Sequence, residues 1–204
     1  MLRKILYIIN PISGTRTKQN LQEFIVAETQ KRGITYSIEY SNAKAEYAYL
    51  EKRIAEESFT DIVIAGGDGT VSQVVAALKH LPVQFGIIPC GSGNGLALAA
   101  GIPKDPAKAL EIVFSGVAHD TDGFWINSQF SCMLSGFGFD AKVAHDFANG
   151  SSRGLAAYTR EVWRNFFKSK FYRFRLHLKD RLLDTEAFFI SIANSNQFGN
   201  QFTI

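Results

Sequence analysis

Residues 62–70 read Ile-Val-Ile-Ala-Gly-Gly-Asp-Gly-Thr, and few folds accommodate that order. Ile62, Val63 and Ile64 form a short β-branched run, suited to a strand buried on both faces of a sheet. Two glycines follow at once, then Asp68, Gly69 and Thr70. Beyond them Val71, Val74, Val75 and Leu78 recur at helical spacing, which predicts a helix. The plan is strand, glycine turn, helix. Glycines let the backbone turn sharply and approach a ligand closely. Free N–H groups at a helix start favour a phosphate or another anion. Asp68 is the one carboxylate there, and phosphates would repel it unless a cation or a proton intervened. It therefore reads as a Mg²⁺ ligand, direct or through water, or as a base for an incoming hydroxyl. A capping Asp in an ordinary β-α turn is the plainer alternative.

The same plan repeats on both sides. Ile5–Ile9 predicts a first strand ending in the loop Asn10-Pro11-Ile12-Ser13-Gly14, where Pro11 lacks an N–H and Gly14 permits unusual dihedrals. Leu21, Phe24, Ile25 and Glu28 predict a helix stopped near Gly33. Ile34–Tyr40 alternates as a strand, and Ala43–Glu57 carries Tyr47, Leu50 and Ile54 on one helical face. After the central unit, Phe85–Ile88 predicts a strand entering Gly91-Ser92-Gly93-Asn94-Gly95. A short helix over Leu96–Ala100 is closed by Gly101, and a last helix covers Ala107–Phe114. Strands alternating with helices to about residue 116 predict an α/β fold with a doubly wound, mostly parallel sheet. Ligands of such sheets bind beyond the carboxyl ends of the strands. Asn10–Gly14, Gly66–Thr70 and Gly91–Gly95 each follow such an end and can converge on one crevice.

Beyond Gly116 the texture changes. Strand-like segments rich in Phe and Ile cover Val117–Asp122, Phe124–Asn127, Phe130–Leu134, Phe171–Leu178 and Ala187–Ala193, with a helical stretch over Ala141–Lys168. The expected division is an α/β nucleotide-binding domain over residues 1–116 and a β-rich region over 117–204. Its last residues, Phe202-Thr203-Ile204, sit in a strand-like context without a terminator, which predicts continuation beyond them.

Composition narrows the class. Of 204 residues, 46% are hydrophobic and 20% charged, ample for a globular core. The net charge of +3 is too small to argue for nucleic acid, but its distribution is uneven. Residues 160–181 hold eight Lys or Arg against Glu161 and Asp180, a window of +6 that leaves −3 elsewhere. Arg160, Arg164 and Lys168 recur every four residues and share one helical face. Arg173 and Arg175 alternate along the following strand. Such a surface suits peripheral contact with an anionic membrane; an ordinary solvated face is the alternative. Two cysteines are too few for a disulfide framework or a zinc cluster, which fits a reducing cytoplasm. No apolar stretch approaches a membrane span, and the start Met-Leu-Arg-Lys leads directly into a strand, a pattern that predicts no signal peptide. The four histidines show no metal-ligand spacing.

Ser92 and Asn94 can bond phosphate or ribose oxygens, or cap the following helix. Asn10, Ser13 and Gly14 carry the same ambiguity. Three such loops together describe a site for a phosphate-bearing nucleotide. The chain lacks G-x-x-x-x-G-K-[ST], so this is no ordinary P-loop, and it lacks G-x-G-x-x-G after the first strand, which argues against a Rossmann dinucleotide site.

Asn10-Pro11-x-Ser13-Gly14, Gly66-Gly67-Asp68-Gly69-Thr70 and Pro89-x-Gly91-Ser92-Gly93-Asn94-x-Leu96-Ala97, in that order, resemble the diacylglycerol kinase catalytic domain. That family includes sphingosine kinases and bacterial soluble lipid kinases. Weaker likeness runs through Asp122-Gly-x-x-x-Asn127 and Gly136-x-Gly138-Phe139-Asp140-Ala141 to Ala193-Asn194. The resemblance implies an NAD kinase/diacylglycerol kinase-like fold and ATP- and Mg²⁺-dependent transfer of a γ-phosphoryl group to a lipid hydroxyl. It assigns Asn10, Pro11, Ser13 and Gly14 to the nucleotide, with Gly66, Gly67, Gly69, Thr70, Gly91, Ser92, Gly93 and Asn94. Asp68 would meet the metal or the acceptor hydroxyl, and Asp122 matches an acidic position near the metal. Asp140 would face the lipid headgroup or cap a helix, and the β-rich region would take the lipid. Gly95 departs from bacterial diacylglycerol kinases, which carry an acidic residue there, and follows the sphingosine-kinase-like pattern. The implied protein is a cytoplasmic enzyme, peripheral at the inner membrane face, with no nucleic-acid partner. NAD or sugar kinases, which share G-G-D-G, and a catalytically silent nucleotide-binding domain are the alternatives.

Overall fold

The computed structural model describes residues 2–11, 18–42, 44, 46–149, 162–163, 170–193, 197–199 and 202–203. They form two compact units, one over Met1–Met133 with Ser195–Ile204, the other over Leu134–Asn194. The first unit therefore takes in residues 117–133, which the sequence groups with the β-rich region.

The first unit is built on strands β1 (Lys4–Ile9), β2 (Thr35–Tyr40), β3 (Asp61–Gly66) and β4 (Gln84–Pro89). They lie in the order β2-β1-β3-β4, every neighbouring pair parallel. β3 is buried at all six positions and β1 at the last five, as expected of central strands covered on both faces. The edge strands β2 and β4 are only partly covered. Helices α1 (Lys18–Lys31), α2 (Tyr49–Glu56), α3 (Asp68–Leu78), α4 (Gly95–Ala99) and α5 (Pro106–Ser115) supply that cover. Because strand side chains alternate, one sheet face sends Leu6, Ile8, Ile62 and Ile64 against α2 and α3. The other sends Ile5, Tyr7, Val63 and Ala65 against α1 and α5. The fold is thus doubly wound, as the sequence predicts.

Local chemistry sets the element ends. Gly33, at φ +63°, closes α1 with its N–H on the Gln30 carbonyl, and Ile34 N–H returns to Thr29, a left-handed cap that only glycine adopts without cost. The Asp105 carboxylate accepts from Ala107 and Lys108 N–H at 2.9 and 3.0 Å and caps α5, with Pro106 at its first position. At the opposite end of the sheet from the glycine turns, Arg3 donates to Asp61 at 2.7 Å and to the Val113 and Phe114 carbonyls at 2.5 and 2.8 Å. One guanidinium thereby ties the carboxyl end of α5 to β3.

Two expectations for this unit need correction. The second helix starts at Tyr49 rather than Ala43. Asn42 bonds both the N–H and the carbonyl of Glu46 through its side chain, a local loop that competes with helix; Ala43 and Ala45 lie outside the described residues. Tyr47 still packs in the core, 1% exposed. Val117–Asp122 is not a strand. Residues 116–123 form an exposed connection, and strand pairing resumes in the hairpin of β5 (Phe124–Ile126) and β6 (Gln129–Ser131), turned at Asn127 with φ +52°.

In the second unit, β7 (Ser135–Gly138) runs straight into α6 (Phe139–Asn149). Gly138 permits this at φ +83°, and a Cβ there would stand 2.5 Å from the Phe188 carbonyl oxygen. β8 (Tyr172–His177) pairs antiparallel with β9 (Leu182–Ala187), and β10 (Phe189–Ile192) pairs antiparallel with β7. The expected helix over Ala141–Lys168 is described as far as Asn149 and again at residues 162–163, which are helical; the rest of it lies outside the described residues. β9 has no counterpart in the sequence reading: Leu182-Leu183-Asp184-Thr185-Glu186 is mostly exposed, and its partner across the turn defines it. Two short strands, β11 (Gln197–Gly199) and β12 (Phe202–Thr203), pair antiparallel within the first unit. Among the described residues no helix is long and apolar enough to cross a membrane.

Candidate functional site

The strand order reverses direction between β1 and β3: β2 lies on one side of β1, and β3 and β4 on the other. The carboxyl ends there form the crevice in which doubly wound sheets hold ligands. The described parts of the three glycine-loop motifs meet at this end. Asn10, just past β1, donates its N–H to the Ala65 carbonyl at 2.8 Å, and its Nδ2 donates to Thr70 Oγ1 at 2.7 Å. Cys90, just past β4, donates its N–H to the Gly66 carbonyl at 2.8 Å. Three strand ends are therefore stitched side by side.

Glycine is required where these turns touch. A Cβ on Gly91 would stand 2.6 Å from the Gly67 Cα, and one on Gly67 would stand 3.1 Å from the Gly91 Cα. The two backbones lie against each other with no room for side chains. A Cβ on Gly66 would meet Thr70 Cβ at 2.8 Å, and one on Gly93 would meet Asp68 Oδ2 at 2.9 Å. Gly69 differs: nothing lies within 4 Å of its Cβ position, so that side of the turn faces open space.

Asp68 occupies the first helical position of α3, behind Gly67 as N-cap. No side chain caps this helix, so its leading N–H groups and their partial positive charge are directed into the crevice end of the sheet. The half-buried Asp68 carboxylate lies between that helix start and the Gly93 backbone. Asn94 takes the left-handed conformation at φ 59° and is 3% exposed. Its Oδ1 accepts from Gly91 N–H at 2.8 Å, and its Nδ2 donates to the Gly91 carbonyl at 2.6 Å. The carboxamide thus clamps its own loop and does not cap α4. Ser92 is exposed between the two glycines, and Pro11 is exposed in the turn after Asn10.

Two thiols flank the arrangement. Burial pushes the Cys90 thiol up to about 11. Burial also raises that of Cys132, and the nearby Asp68 charge adds to it. Cys132 is the neighbour of Asp68 that sequence reasoning missed; it lies outside every motif, in a bend after β6.

Ser13 and Gly14 fall outside the described residues, as do Arg160, Arg164 and Lys168. Asp122 sits in the exposed connection before β5. Asp140 is the second residue of α6 in the other unit, and its side chain is outside the described part. Among the described residues, no three His, Cys, Asp or Glu side chains group to hold a metal. The basic strand is not a bare cationic surface: Arg173 pairs with Glu186 at 2.8 Å and Arg175 with Asp184 at 2.7 Å. Both acids stand on β9, outside the window whose charge the sequence counted.

A parallel doubly wound sheet with glycine turns packed at its carboxyl ends defines a class of phosphate-handling α/β domains. The comparisons with known proteins go further. The model of the diacylglycerol kinase catalytic domain matches residues 4–126, and the chain belongs to that family. A diacylglycerol kinase of Bacillus subtilis is 30% identical over 148 residues, covering 71% of this chain and 49% of that protein. One of Staphylococcus carnosus is 29% identical over 149 residues, covering 72% and 48%. One of Staphylococcus aureus is 28% identical over 203 residues, covering 96% and 64%. The chain spans about half the length of the first two relatives. A solved diacylglycerol kinase structure from Bacillus anthracis superposes with a TM-score of 0.76 at 19% identity, over 99% of this chain and 67% of that one. That likeness supports the fold.

Proposed function

We propose that this chain carries the nucleotide site of a lipid kinase, which moves the γ-phosphoryl group of ATP to a lipid hydroxyl. The observation that carries this reading is the packing of Gly67 on Gly91, with Asp68 beside Gly93, at the carboxyl end of the sheet. The close-packed glycines hold the start of α3 at the strand ends, and that uncapped start offers its leading N–H groups and their partial charge to phosphate oxygens. Phosphoryl transfer depends mainly on positioning and on neutralising charge, and such a cradle supplies both.

A single half-buried carboxylate at that helix start fits Mg²⁺, which is commonly held by one or two carboxylates together with substrate phosphates and water. Asp68 would be the ligand, with Asp122 as the further carboxylate that family likeness suggests. Bound there, Mg²⁺ would neutralise phosphate charge. The acceptor oxygen forms its bond to the γ-phosphorus, the bond to the departing ADP oxygen breaks, and the hydroxyl proton passes to a base. Asp68 is the chain's candidate for that base if it does not hold the metal. The β-rich region over residues 117–204 would take the lipid, and Arg160, Arg164 and Lys168 would make peripheral contact with anionic membrane.

Transfer of radiolabelled phosphate from ATP to a panel of lipids in micelles, with NAD and a sugar as alternative acceptors, tests this reading. Label is expected in a diacylglycerol- or sphingosine-like lipid and absent with Asp68→Asn. Label in NAD or a sugar, or undiminished transfer by the variant, would overturn it.

A further inference from the structure

We propose that Thr70 is a positioning residue, whose buried hydroxyl holds the Asn10 carboxamide and fixes Asn10 against the Gly66–Thr70 turn. The inference rests on the nucleotide-site reading above. Thr70 is 7% exposed, and its Oγ1 accepts the Asn10 Nδ2–H at 2.7 Å. Its place is cut by the missing side chain of Gly66, whose Cβ would stand 2.8 Å from Thr70 Cβ. The first turn of α3 thereby drops its third residue onto the end of β3. The Asn10 main chain is anchored independently, through its N–H to Ala65. Both anchors come from the β3–α3 unit, so the residue after β1 is held by backbone and side chain at the reversal in strand order.

The family motif assigns Thr70 to the phosphates, but the geometry gives its hydroxyl to Asn10. Since Thr70 is buried, loss of its hydroxyl would reach a nucleotide through Asn10. A carboxamide held before the ligand arrives loses less freedom on binding. Removing the anchor should weaken binding and leave the chemical step alone.

Thr70→Val keeps the shape without the hydroxyl; Thr70→Ser keeps the hydroxyl. Thr70→Val is expected to raise the Kd for Mg·ATP about tenfold, the worth of one hydrogen bond, with KM raised and kcat unchanged. It should also shift the Asn10 side-chain amide resonances and speed their exchange, a readout that needs no nucleotide. Thr70→Ser should restore both. Adding Thr70→Val to Asn10→Ala should cost nothing further. If Thr70→Val does not fold, Thr70→Ala removes the same hydroxyl and should show the same rise in Kd and the same shift of the Asn10 amide resonances. Unchanged Asn10 resonances in Thr70→Val, additive losses in the double variant, or failure of Thr70→Ser to rescue would each overturn the assignment. Absence of ATP binding by the parent would overturn the nucleotide reading, while the amide exchange would still decide the role of Thr70.

Discussion

Asp68 and the glycines around it carry different burdens, and substitutions separate them. Asp68→Asn preserves the shape of the helix start but removes the charge available to a cation or a proton. Phosphoryl transfer should fall on the order of a hundredfold or more, with circular dichroism and melting unchanged; equal turnover would remove Asp68 from the chemistry. Gly91 and Gly93 differ in what they touch. A methyl at Gly91 meets the Gly67 backbone at 2.6 Å, whereas one at Gly93 meets the Asp68 carboxylate tip at 2.9 Å. Backbone cannot yield cheaply; a side-chain tip can rotate. Gly91→Ala should therefore lower the melting temperature along with ATP affinity. Gly93→Ala should leave melting nearly unchanged and reduce turnover by displacing Asp68. Thermal scans, calorimetric ATP titrations and turnover assays of both variants check this, and parental ATP affinity in Gly91→Ala with parental turnover in Gly93→Ala would mean that the loops are only turns. Asn94 shows the limit of reading single residues. Its type and spacing suit a nucleotide contact, and nothing in them reveals that its amide bonds both the N–H and the carbonyl of Gly91 from a left-handed backbone.

At the scale of elements, the strands and helices whose signals are local were legible. β1 and β3 announce themselves as apolar runs, α1 ends at its glycine, and α5 is legible from Ala107 onward, whereas its Asp105 cap and the place of Pro106 at its first position are seen only in the structure. Elements that exist through a distant partner were not. β9 is polar and mostly exposed, and becomes a strand through its register with β8, which sets Arg173 opposite Glu186 and Arg175 opposite Asp184. The same pairing neutralises two charges that the sequence window left unopposed, and any membrane contact must draw on other cations. The Arg3 clamp is another long-range feature, joining residues 58 and 111 positions away. Arg3→Met should destabilise the first unit by about 2–3 kcal/mol, below the full cost of orphaning a buried carboxylate, because Thr60 still donates to Asp61 at 2.6 Å. Urea unfolding measures it. An unchanged midpoint would show that the guanidinium contributes nothing to holding α5.

For the whole molecule, alkaline pH should be the sensitive limb. Burial raises Tyr7 from 10.0 to about 12, against the lowering effect of its bond to Thr29, and raises Cys90 from 9.0 to about 11. Both groups hold their protons to higher pH in the folded state than in the unfolded chain. Their contribution is complete below about pH 9 and falls away as pH rises toward 12, where the unfolded state loses protons first. Urea midpoints at pH 7 to 11 should fall progressively above pH 9, and the fall should shrink with Cys90→Ala. A flat profile would mean that neither group is desolvated. The sequence by itself determined the alternation of strands and helices, the glycine turns after β3 and β4 and the single carboxylate they carry. These follow from hydrophobic period and from backbone freedom, both properties of neighbours along the chain. Only the tertiary structure decided which turns touch, that Thr70 grips Asn10, that Cys132 stands near Asp68 and that β9 pairs with β8. Those contacts join residues far apart in sequence, and close packing selects them.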